Sequence, residues 1–243
     1  MLSKDAIKGF TAKVVPFLSI MSLVPDRKDD QLLVDYGFNS FPTFAFLDAE
    51  GKLLLQLQGR EQKDWEEAAA RLARQSELRA KWAAGGEDKA LAGELLTLGL
   101  ELGNLELAEA EALAAKAELG DEERMRYEEG LLAILSRMKL DAARKEGKRL
   151  AEGFGEAFAK RLDALLLDME IMALVEMQRG GDLDATIKGM HELYAAGRKP
   201  DDKARTFLAY WYFLTQHADR TNDLALFREA WGNVRPLWSA TPG

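Results

Sequence analysis

The chain has 243 residues, no cysteine and a formal net charge of −8. The missing thiols exclude disulfides, thiolate catalysis, iron–sulfur clusters and thiolate zinc sites. The negative surface field repels phosphate backbones, so no nucleic-acid partner is expected.

The N-terminal end raises the question of targeting. Lys4, Lys8 and Lys13 precede the apolar run Val14–Val24, which has the length of a signal-peptide core. Asp5 interrupts the basic segment and no small-x-small cleavage site follows, so a buried strand is the better reading. No apolar run reaches about 18 residues, so no membrane span and no membrane partner are expected. The cytoplasm is the expected compartment, unless a signal peptide precedes Met1.

In chain order, "SKDAIKGFTAK" places Ile7 and Phe10 at helical spacing behind Ser3 as an N-cap. "VVPFLSIM" (14–21) is a short run of strand formers. In "DDQLLVDYG", Asp29 caps a short helix whose Leu32, Leu33 and Tyr36 share a face, and Gly37 ends it. "TFAFLD" and "KLLLQLQG" flank "AEG", a β-hairpin signal with Gly51 free to take positive φ.

The order helix, strand, helix, strand, strand resembles the thioredoxin fold from its second helix onward, over residues 3–60. The residues that carry the resemblance are Tyr36, Gly37, Phe38, Phe41, Pro42, Thr43, the strand Phe44 to Leu47, and the D-x-x-G-K turn of Asp48, Gly51 and Lys52. The local pattern fits a cis or a trans Phe41–Pro42 bond equally; the resemblance implies cis. It also implies that the loop Phe41, Pro42, Thr43 is a peptide-binding site using main-chain groups. The plainer reading is a proline that defines the fold and meets no partner. The family's C-x-x-C motif, first helix and first two strands have no counterpart here. The strand at 14–21 and that at 43–47 thereby lack a shared neighbour. They can close on each other, pair with a second copy in a homodimer through the N-terminal sheet, or belong to a longer parent.

From Gln62 onward Ala, Leu, Glu, Lys and Arg dominate and the spacing turns helical. Residues 62–86 are expected to form one long bridging helix with Trp65, Ala68, Leu72, Leu78 and Trp82 on its apolar side, stopped by two glycines. Then comes an internal echo, in which a glycine or polar breaker precedes a leucine and a helix, at Leu105, Leu140, Leu183 and Leu224. With helical segments between these marks, four helical hairpins are expected. The segment Leu100–Ala117 looks like a tetratricopeptide repeat, with Ala108 and Ala115 where helices approach closely. A repeat array is the preferred reading over a non-repetitive bundle.

Metal chemistry finds no support, because His191 and His217 are the two histidines and form no metal-ligand motif. Neither a nucleophile elbow nor a phosphate-binding glycine loop occurs, so no catalytic residue and no cofactor are expected. The aromatic run "FLAYWYFLTQH" is apolar all round its helix. Phe207, Tyr210, Trp211 and Tyr212, with Trp231 downstream, are expected to pack inside the array, with a ligand groove as the alternative. Phe227, Pro236 and Trp238 are expected to join them and cap the end.

The expected architecture is an α+β N-terminal thioredoxin-like remnant (1–61), a bridging helix (62–86) and a mainly α, tetratricopeptide-like helical array (87–243). The expected function is non-catalytic binding of a protein or peptide, as an adaptor or co-chaperone-like module. The alternative is a truncated form of a thiol–disulfide oxidoreductase whose C-x-x-C lies upstream of Met1.

Overall fold

The computed structural model describes residues 35–38, 43–57, 59, 61–85 and 88–239, and of residues 237–239 the backbone alone. The expected helix near the N-terminus, the strand at 14–21 and the Phe41–Pro42 bond lie outside the described residues. What is described is mostly helical, with one two-stranded antiparallel sheet. The chain forms two compact units, and their boundary falls between Gly130 and Leu131.

The described part of the first unit includes the hairpin of β1 (Phe44–Leu47) and β2 (Leu53–Leu57). Its turn is built by Asp48, whose Oδ1 accepts the N–H groups of Glu50 at 3.1 Å and Lys52 at 2.7 Å. Gly51 takes φ 83°, a left-handed conformation that a side chain would oppose. The Tyr36 hydroxyl donates to the Gly51 carbonyl at 2.5 Å, so the D-x-x-G-K turn is held from outside as well. Phe44 pairs with Leu57 and Phe46 with Leu55, and the register shifts between Phe46 and Leu47.

Helix α1 (Gln62–Ala83) packs on both β2 and α2 (Lys89–Leu102). Trp65, Ala68, Gln75 and Leu78 are its buried positions, a stripe at helical spacing, and the Trp65 ring lies 5.0 Å from that of Phe44. Along the flank of the stripe, Arg74 pairs with Glu94 at 2.7 Å and Arg79 with Glu109 at 2.9 Å, while Arg71 pairs with Glu101. Such exposed pairs contribute at most about 1 kcal/mol each, so the buried stripe is the main cement. Gln75 is a polar member of that stripe. Its amide exchanges two hydrogen bonds of 2.8 Å with the amide of Asn104, so burial leaves neither group unsatisfied.

Helix α3 (Leu107–Lys116) packs on α2, and α4 (Asp121–Leu135) runs through the unit boundary. Ala108 and Ala115 are exposed, against expectation. The buried stripe of α3 is Ala110 and Leu113, one helical phase away, and Leu105 fills the space over Gly99.

In the second unit α5 (Leu140–Phe154), α6 (Glu156–Arg179), α7 (Leu183–Ala195), α8 (Phe207–Thr221) and α9 (Leu224–Ser239) each pack on the next, and α8 also touches α6. Two crossings are close because a glycine faces a leucine. A Cβ on Gly147 of α5 would lie 2.7 Å from a Leu162 methyl of α6, and one on Gly189 of α7 would lie 2.5 Å from a Leu174 methyl of α6. The core gathers Ile171, Ile187, Met190, Tyr210, Leu214 and Val234.

Three of the expected hairpin turns share one backbone device. A residue with positive φ (Gly103, Gly181 or Asn222) follows the helix, and the next N–H reaches back to a carbonyl of the last turn. Those bonds are Asn104 to Gly99, Asp182 to Met177 and Asp223 to Ala218, at 3.2, 3.0 and 2.9 Å. Leu105, Leu183 and Leu224 come directly after. The turn before Leu140 lacks the left-handed residue and enters α5 through Lys139 in extended conformation. Helix α8 starts at Phe207, after a local turn in which Asp201 accepts the Lys203 N–H at 3.0 Å.

Candidate functional site

Helix α8 is apolar around its circumference because α6, α7 and α9 all pack on it. Its aromatic side chains meet different environments. Tyr210 and Trp211 are core residues, and Phe207 is half-buried with its ring 6.1 Å from that of Trp211 in an edge contact. Tyr212 and Trp231 are 40% and 43% exposed. The five residues therefore do not form one packed cluster. Of the N-terminal candidates, Phe41 and Pro42 lie outside the described residues, and Thr43 is a half-buried residue just before β1.

The turn between α7 and α8 brings polar groups onto this aromatic base. Lys199 lies over two rings, 4.6 Å from the centroid of Tyr194 and 5.6 Å from that of Trp211. Its ammonium also donates to Glu229 Oε1 of α9 at 2.7 Å, and the Tyr194 hydroxyl donates to Glu229 Oε2 at 2.6 Å. Both oxygens of one carboxylate are thus engaged. The bonds from Lys199 and Tyr194 hold Glu229 below the usual carboxylate range. The bond to the same carboxylate, then burial, raises Tyr194 above an ordinary phenol. Beneath them the Tyr210 hydroxyl donates to the Arg198 carbonyl at 3.0 Å, which fastens the turn that carries Lys199, and burial pushes this phenol well up. The Trp211 Nε1–H is buried with no hydrogen-bond partner among the described residues. Nothing local in the sequence marks Lys199, Tyr194 and Glu229 as a set, since they are joined only by the folding of α7 onto α8 and α9.

The two histidines meet. His191 of α7 and His217 of α8 stack with centroids 3.8 Å apart and planes 10° from parallel. Burial, then the neighbouring His191, lowers His217 below 6.5, against a smaller opposing pull from Asp223. The folded state therefore binds this proton less tightly than the unfolded chain. Stability stands in full above the ordinary histidine pKa and falls as pH drops through the lowered folded value. The denaturant midpoint should decline from about pH 7.5 to about pH 5. His217→Gln should flatten that decline; an equal decline in both proteins would remove the histidine pair as its cause. Among the described residues no group of three or more His, Cys, Asp or Glu could hold a metal ion.

No family model matches the chain, and comparison with curated proteins and with solved structures gives no match either. No helix among the described residues is long and apolar enough to cross a membrane.

Proposed function

We propose that the chain is a non-catalytic protein-binding module, an adaptor or co-chaperone-like protein in which a thioredoxin-like remnant precedes a tetratricopeptide-like helical array. The observation that carries this reading is the recurring turn. Three helical hairpins closed by the same backbone bond and the same following leucine, with α1 to α3 packed in order in the first unit and α5 to α9 in the second, fit an array in which each repeat rests on its neighbours. Such arrays present side chains of successive helices as a binding surface and need no reactive group. The Asp48 turn, with Gly51 in the left-handed region, supports the thioredoxin-like part, and with it Phe41, Pro42 and Thr43 as a second, main-chain peptide site. A chain without thiols has no means of disulfide exchange by its own groups.

Crosslinked, tagged full-length chain purified from its own cells should retain one reproducible protein partner in stoichiometric amount. The same preparation should leave dithiothreitol-driven insulin reduction at the protein-free rate. No retained partner, or turnover above that control, would reject the reading.

A further inference from the structure

The chain has two histidines in 243 residues, and folding brings them into contact from different helices. Both are half-buried, and each adjoins a core residue, His191 after Met190 and His217 before Ala218. The pair therefore lies at the rim of the α7–α8 seam. Near-parallel planes set the ring lone pairs side by side, so they do not converge on one ion. At a separation of 3.8 Å two imidazolium rings would repel, so the closed seam opposes a second proton. Among the described residues the carboxylate that pulls on His217 is Asp223, whose Oδ1 already accepts the Ala225 and Leu226 N–H groups at 3.1 and 3.0 Å. On α7 Asp184 is held by Arg220 at 2.5 Å, and Glu192 lies 3.7 Å from Lys188. On α6 Asp168 is held by Arg205 and Thr206, Glu170 by Arg144 and Arg198, and Glu176 by Arg179. On α9 Glu229 is held by Tyr194 and Lys199. Asp219 of α8 lies two residues beyond His217, about 200° round the helix. These carboxylates are thus committed elsewhere or turned away, and the repulsion has little to offset it.

We propose that the stacked histidines are an acid-operated latch, which holds the rim of α7 against α8 while at least one ring is neutral and releases it when both are charged. Release is local, because beneath the rim Met190, Tyr210 and Leu214 keep both helices in one core. His191 passes the change on. Its ring also stacks on that of Tyr194, one turn further along α7, at 6.5 Å and 26°. Tyr194 is one of the two groups that hold Glu229, and Lys199 is the other. When His191 turns out to water, Tyr194 loses a ring neighbour and the clasp between the α7–α8 turn and α9 loosens with it. The open seam takes up protons more readily than the closed one. The closed form is therefore fully favoured above the ordinary histidine pKa and loses ground as pH falls below it. One histidine of ordinary pKa about 6.5 can multiply the opening by at most about thirtyfold between about pH 7.5 and about pH 5.

Two histidines give two imidazole Cε1–H signals in the proton NMR spectrum of the full chain. They should titrate in separate steps, the later one below the ordinary histidine range. Hydrogen exchange read by mass spectrometry, corrected for the pH dependence of the exchange chemistry, gives the opening itself. In peptides covering residues 187–200 and 214–221 it should rise about threefold to thirtyfold from about pH 7.5 to about pH 5, with peptides of α5 unchanged. His217→Phe keeps a ring against His191 but takes no proton there, so the rise should be lost from both segments. His191→Phe gives the same result from the other side and covers the case in which the first variant packs badly. Two signals that titrate together at the ordinary value would overturn the latch. So would a rise that spreads evenly through α5 and α6, one that fails to reach Tyr194 and Lys199, or one that persists in both phenylalanine variants.

Discussion

Replacing Tyr210 by alanine should destabilise the second unit by about 3–5 kcal/mol, the range for truncating a buried aromatic ring. The side chain is fully buried among Met190, Leu193 and Leu214, so the space it vacates is walled by helices α7 and α8 on two sides. The loss has a second part. The hydroxyl donates to the Arg198 carbonyl, and that bond ties the α7–α8 turn to the core. Tyr210→Phe removes only the bond and should cost about 0.5–1.5 kcal/mol. The difference between the two variants, read from denaturant midpoints at pH 7, separates packing from tethering. Because the tether sets the height of Lys199 above Tyr194 and Trp211, the phenylalanine variant should also alter tryptophan emission. A loss below about 1 kcal/mol in the alanine variant would mean that the core closes around the gap.

The amide pair of Gln75 and Asn104 predicts a non-additive result. Gln75 is 4% exposed, and each amide gives and accepts one hydrogen bond with the other. Asn104→Leu strands the buried Gln75 amide and should cost about 1–3 kcal/mol, the penalty for an unsatisfied buried polar group. Gln75→Leu should cost less, because Asn104 is half-buried and water can reach it. The double variant removes both polar groups and should recover a large part of the single losses, since apolar replacement of both partners is close to neutral. Losses that simply add in the double-mutant cycle would show that the two amides act independently.

The elements themselves were legible wherever the deciding signal is local. Gly51 after Asp48 announced the hairpin because a left-handed turn residue and a side-chain acceptor are written within four positions of each other. Gly103, Gly181 and Asn222 announced helix ends for the same reason. The phase of a weakly apolar helix was not legible. In α3 alanines occur on several sides, so composition alone could not tell Ala108 from Ala110, and packing against α2 decides it. The site was less legible still. Trp211 could be read as core from its apolar neighbours, but Trp231 could not be read as exposed, because exposure depends on what packs against α9. The links from Gln75 to Asn104, from Lys199 and Tyr194 to Glu229, and from His191 to His217 join residues of different helices and turns. No periodicity within one helix encodes such a pairing.

The two bare glycines that flank α6 have a consequence for the kinds of change this chain can absorb. Leu162 seats over Gly147 on one neighbour and Leu174 seats over Gly189 on the other, so α6 is pinned at two points along its length to two different helices. An extra residue between the two leucines would turn one of them by about 100° relative to the other. Either leucine could then keep its seat, but not both, and the displaced one would meet a side chain where a hydrogen had been. Substitutions on the open side of α6 leave this arrangement alone. Changes of length within it do not, because they break one of the two seats.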